Sequence, residues 1–154
     1  MLAVAIRRRK AGWIGLLVAT SVVLLTLVPA APASAWSSPE RGMLWRHNHA
    51  RIMRDIKKYT LSASLSAKAE RHSQEMARKG YIYHSSCLSC NFRSYNWSVG
   101  GENVGVGASV KSLHRAFMDS APHRRNVLYR PYRYVGIGVV QSGGRMWVTV
   151  LFMG

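Results

Sequence analysis

"RYVGIGVVQSGGRMWVTVLFM", Arg133 to Met153, decides how the rest of the chain is read. Val135, Ile137 and Val139 alternate with Gly136 and Gly138, which is the period of a strand with one face on a core. "QSGG" supplies turn residues, and "RMWVTVLFM" returns as a second apolar strand. The spacing therefore predicts a hairpin. Two glycines on one face of the outgoing strand let another segment come close to its backbone.

Upstream lies what could cover such a hairpin. A helix is predicted from about Ser109, with Val110, Leu113, His114 and Phe117 on one face. Ser120-Ala121-Pro122 restarts a short helix, with Ser120 as cap and Pro122 just inside. Leu65, Ala69, His72, Ser73 and Met76 form the inward stripe of an earlier helix, which Gly80 closes as a left-handed cap. Between them residues 81–97 read as an ordered loop, and Asn96-Trp97-Ser98 fits a glycosylation tripeptide. Ser38-Pro39-Glu40 starts the first helix. Its inward face reads as Trp45, His49, Ile52, Met53 and Ile56, with Arg46, Arg51, Arg54, Lys57 and Lys58 as a basic back. His47, His49 and His72 read as buried, hydrogen-bonded core histidines. Helix, helix, loop with a strand, helix and hairpin in that order make an α+β fold, with helices packed on an antiparallel sheet.

The chain has 154 residues, the size of one domain, and carries 22 Lys and Arg against six Asp and Glu. A basic head, "MLAVAIRRRK", an apolar run from Ala11 to Ala30 and the small residues Ala33-Ser34-Ala35 read as a signal peptide over 1–35. The domain then runs over 36–154. A retained membrane anchor is the competing reading, since the run is long enough to span a bilayer. Either way the domain is expected outside the cytoplasm. Removing the four leading positive charges from +16 leaves +12. That excess attracts anionic wall polymers and anionic lipid. Nucleic acid is disfavoured, because no nucleic-acid module accompanies the charge.

Cys87 and Cys90 stand in "HSSCLSC". A disulfide suits an oxidising compartment. A redox pair would need a βαβ context that the chain lacks. Zinc held by His84 and both cysteines would need a fourth ligand, and none is apparent nearby.

The chemistry centres on "GGENVGVG", Gly100 to Gly107. As a strand it puts Glu102 on one face with Val104 and Val106, where an unpaired carboxylate costs several kcal/mol. Two histidines in loop or cap positions could meet it, His84 and His123. A Glu flanked by two His can clamp a metal, orient a water, bind a polar ligand or simply staple a loop to the sheet.

"LSASLSAKAERHSQEMARKGYIYHS", "GGENVGVG", "VKSLHRAFMDSAPHRRNVL" and the hairpin resemble, in order, the signatures of the CAP superfamily. That superfamily takes in cysteine-rich secretory proteins, antigen 5 and plant pathogenesis-related proteins, and its bacterial members carry an SCP domain. "HNHAR" resembles the family's first helix, with Asn48 and Arg51 in the matching places. The resemblance implies an α-β-α sandwich with a central antiparallel sheet. It also implies a cleft of two histidines and two acids that in some members binds a divalent metal such as zinc. His84, Glu102 and His123 match three of those places, and the second acid falls near Asp119 or Ser120, where no glutamate stands. Asn103, Ser120, Arg124 and Asn126 match structural positions of the motifs. The resemblance implies a secreted protein that binds sterols, lipids, metals or partner proteins. The alternative is a hydrolase, metal-dependent at the same cleft or serine-type through Ser85 or Ser120.

Overall fold

The computed structural model describes residues 38–154, and the segment read as a signal peptide lies outside the described residues. Helix α1 spans Ser38–Ile52, strand β1 Thr60–Leu61, and α2 Ala63–Lys79. A 3-10 turn at Leu88–Asn91 follows, then β2 Gly100–Gly107, α3 Val110–Asp119, α4 Ala121–Leu128, β3 Tyr134–Ser142 and β4 Arg145–Met153.

The hairpin forms as the alternation predicts. Gly143 and Gly144 turn it with φ of 58° and 70°, values that side chains with a Cβ resist. Strand order is β1-β3-β4-β2, with β4 antiparallel to both neighbours. Thr60 and Leu61 pair parallel with Tyr134 and Val135. The sheet is therefore mixed rather than wholly antiparallel. Two residues are too short to show a strand period, so only the backbone bonds reveal this edge (Thr60 N–H to Arg133 O, 2.9 Å; Ser62 N–H to Val135 O, 2.8 Å).

Alternation divides the sheet into two faces. Val135, Ile137, Val148, Val150 and Phe152 pack with Met43 of α1, Leu113 and Phe117 of α3 and Val127 of α4. Leu151 and Met153 pack on the other face with Leu65 and Ala69 of α2 and with Phe92. Helices thus cover both faces, the α-β-α sandwich. A Cβ on Gly136 or Gly138 would overlap the backbone of α2 at Leu65 or Glu70, which is the close approach those glycines allow. Gly80 caps α2 as expected, and both helices also have serine N-caps. Ser62 Oγ accepts from Leu65 N–H, Ser109 and Ser112 make a capping box, and Gly80 ends α2 with φ 80°.

Helix α1 is turned relative to the sequence expectation. Trp45, Ile52 and Met53 are 60%, 50% and 68% exposed, while Met43, His47, Ala50 and Arg51 are buried. These four form their own helical stripe. The guanidinium of Arg51 goes inside because carbonyls from later segments surround it. Ile56 is buried as expected. His47 is a core histidine, with its Nδ1 3.1 Å from His114 Nδ1. His49 is not: it is exposed and stacks on Trp45 with ring centroids 5.3 Å apart. His72 is partly buried, and its Nε2 lies 2.8 Å from the Tyr83 carbonyl.

Candidate functional site

β2 is an edge strand, and successive residues on it face opposite ways. Glu102 and Asn103 therefore reach to opposite sides of the sheet, and each fastens a different segment. The Glu102 carboxylate, 2% exposed, takes His84 Nδ1–H at 2.8 Å and Ser85 N–H at 2.9 Å on Oε1. Ser85 Oγ–H donates to its other oxygen and itself accepts from Asn91 Nδ2–H at 3.3 Å. Asn103 Nδ2–H donates to the His123 carbonyl at 3.0 Å and so ties down the start of α4. Asn126 Nδ2–H bridges the Glu102 carbonyl, at 3.1 Å, and Asn103 Oδ1, at 2.9 Å. One dipeptide thus fixes the two chain segments that carry His84 and His123.

The two histidines sit in different surroundings. The His84 side chain is 63% exposed, so with Nδ1 committed to Glu102 its Nε2 faces outward. His123 is partly buried beside Phe117, ring centroids 5.4 Å apart, with Nδ1 2.8 Å from Ser120 Oγ. Burial holds the His123 imidazole below the ordinary histidine value, and the charge of His84 lowers it further. The two rings are therefore within electrostatic reach of each other.

Asp119 does not join them. It ends α3, its side chain is 73% exposed, and it faces Arg115 at 3.8 Å. Among the described residues no three His, Cys, Asp or Glu side chains converge as a metal-holding group. Ser120 precedes α4 but makes no side-chain cap bond, because its hydroxyl is turned to His123. Arg124 Nη1–H donates to the Met118 carbonyl at 2.7 Å near the end of α3. Cys87 and Cys90 are disulfide-bonded and no free cysteine remains, so neither thiol is available as a zinc ligand. The bond closes the turn just after His84 and Ser85. What the sequence did not reveal is Ser85 as the double donor to Glu102. A backbone N–H carries no residue-type signal, and a serine beside a histidine looks like ordinary loop.

Residues 44–152 match the cysteine-rich secretory protein family, CAP. The chain is 30% identical over 132 residues to the uncharacterized protein YkwD of Bacillus subtilis (strain 168), a match covering 81% of this chain and 50% of that protein. Among solved structures, an extracellular protein containing a SCP domain from Bacillus anthracis superposes with a TM-score of 0.64 at 20% identity, over 74% of this chain and 41% of that one. An outer surface protein from Borrelia burgdorferi gives 0.67 at 12% identity, over 76% and 95%. The chain thus spans about half the length of YkwD and less of the B. anthracis protein. The structural likenesses speak for the fold, and the sequence match over most of the described residues speaks for descent. The chain belongs to the cysteine-rich secretory protein (CAP) family, as a bacterial-type SCP domain.

Proposed function

We propose that this CAP domain is a secreted binding protein rather than an enzyme, with its ligand cleft at Glu102, His84 and His123. One observation carries this reading: a carboxylate 2% exposed is held against an imidazole 63% exposed. A purely internal knot would bury both partners. Here the buried acid fixes a ring whose second nitrogen is presented outward. For a divalent metal such as zinc, His84 and His123 would be the ligands through Nε2. Glu102 would stand behind His84 and fix its tautomer, as carboxylates behind metal-binding histidines do. Such an ion would supply open positions for a polar ligand.

The same geometry gives less support to a hydrolase. Ser85 is committed to Glu102, and Ser120 touches His123. No carboxylate among the described residues stands behind the other His123 nitrogen to orient it as a base. The surface adds a second attraction. Two of the six acids, Glu40 and Glu102, are buried against one buried cation, Arg51, so the exposed surface keeps the basic excess of the composition. That favours anionic wall polymers or lipid headgroups as partners.

Calorimetric titration with zinc chloride near neutral pH tests the cleft. One-to-one binding is expected. The double variant His84→Ala/His123→Ala should abolish it, and Glu102→Gln should weaken it by about ten- to a hundredfold. No binding, or binding that these variants keep, would reduce the cluster to a structural staple.

A further inference from the structure

A second cleft, of about 330 Å³, opens where the segment leading into β2 meets the end of α4. Gly101 looks into this region, away from Glu102, because neighbouring strand residues face opposite ways. A Cβ there would overlap the Tyr132 hydroxyl and crowd Asn126 Oδ1. Trp97 and Tyr129 stand at the cleft, 36% and 40% exposed. Both rings are braced from behind. Trp97 lies 5.3 Å from Phe92 and Tyr129 4.9 Å from Tyr132, centroid to centroid. Each ring is therefore steadied by a neighbour before anything binds.

Two unmet groups point to a ligand. Tyr132 is only 5% exposed and lines the cleft, yet its hydroxyl makes no hydrogen bond among the described residues. The ring is buried while the hydroxyl opens on the cleft, so it has a donor and acceptors to offer there. Arg125 also lines the cleft, is exposed, and has neither an ion pair nor a hydrogen bond among the described residues.

We infer that this cleft binds a saccharide carrying a carboxylate. A pyranose has apolar C–H faces and a rim of hydroxyls. The faces suit Trp97 and Tyr129, the rim suits Tyr132 and Asn126, and the carboxylate suits Arg125 as a charge-assisted pair. A lipid tail fits less well, because the cleft is open and Arg125, Asn126 and the Tyr132 hydroxyl stand among its aromatic rings. The site shares Asn126 with the fastening of the Glu102–Asn103 backbone but uses neither the Glu102 carboxylate nor His84, and it stands whether or not that cluster binds a metal.

The test is a ¹H–¹⁵N titration of the full-length chain with three probes. These are a tetrasaccharide of alternating glucuronic acid and N-acetylglucosamine, neutral chitotetraose, and an unstructured single-stranded DNA oligonucleotide. The acidic tetrasaccharide should saturably shift the Trp97 indole, Ser98 and Gly100 signals and leave His84 and Ser85 in place. Chitotetraose should bind the same signals more weakly, and Arg125→Ala should erase that difference. Tyr132→Phe, which keeps the ring packing, should weaken binding about fivefold, the equivalent of one hydrogen bond. Trp97→Ala should weaken it about tenfold. Failure of the acidic tetrasaccharide to shift these signals would overturn the inference. So would binding untouched by all three substitutions, or tighter binding of the DNA at the same signals.

Discussion

Arg51 and Glu102 are both ionisable and both shut away from water, yet they are held in opposite ways. Arg51 is fully buried and turns all three guanidinium nitrogens to neutral acceptors. Nε–H donates to the Lys57 carbonyl at 2.7 Å, Nη1–H to Tyr59 Oη at 2.8 Å and to the Val127 and Tyr129 carbonyls at 3.0 Å, and Nη2–H to the Tyr132 carbonyl at 3.0 Å. Burial raises the Tyr59 hydroxyl well above its usual range, so it stays neutral under the guanidinium. Four of the five partners are main chain, and none of the five carries a charge. Glu102 has side-chain partners, and the histidine among them is mostly in solvent. A buried charge met from all sides by backbone holds a fold together. A buried acid whose partner reaches the surface is placed to present something.

The sharpest way to break this contrast is to remove each group in turn. Arg51→Met should cost at least about 3 kcal/mol, because it leaves the carbonyls of Lys57, Val127, Tyr129 and Tyr132 without their donor. Glu102→Gln should cost only about 1–2 kcal/mol, since His84 can turn to water. Urea midpoints of the two variants measure both. Equal losses would mean that Glu102 is as much a structural keystone as Arg51.

How much of this was legible differs between the two groups for a physical reason. Glu102 announced itself: a scarce acid among glycines and valines in a strand demands partners, and the histidines come at recognisable motif positions. The hairpin was legible too, because alternation is local, and the sandwich followed from the family resemblance. The orientation of α1 was not. Periodicity favours the face with Trp45, Ile52 and Met53, and nothing local shows that Arg51 is solvated by carbonyls some seventy to eighty residues further on. The parallel pairing of Thr60 and Leu61 was hidden in the same way, being a long-range backbone match with no side-chain pattern.

An effect of intermediate size comes from the other groups that α1 turns inward. His47 is fully buried, and burial first, then the charge of His114, pushes it down to about 3. His114 is lowered to about 4, by burial and then by Arg46 and His49. A depressed folded value means stability that is fully present above about pH 6.5 and lost as pH falls through the folded value. His47 alone should therefore cost roughly 2 kcal/mol between pH 7 and pH 5. Its Nε2 has no partner among the described residues, and its ring stacks on Phe152 at 6.1 Å. His47→Phe should then leave neutral-pH stability nearly unchanged and flatten the acid limb of the melting curve. A limb that stays as steep would place the acid sensitivity elsewhere.

The smallest expected effect bears most directly on the site. The family resemblance points to a second acid near Asp119, but the structure sets that side chain in solvent beside Arg115. An exposed pair at 3.8 Å, one helical turn apart, contributes about 0.5 kcal/mol or less. Asp119→Asn should therefore leave both the urea midpoint and the zinc titration where they were. Glu102→Gln, by contrast, should change the titration. An unchanged Asp119→Asn titration would limit the cleft to its two histidines and Glu102. A tenfold weakening would mean that the end of α3 swings in when ligand arrives, and that the acid absent from the cluster in this structure completes it on binding.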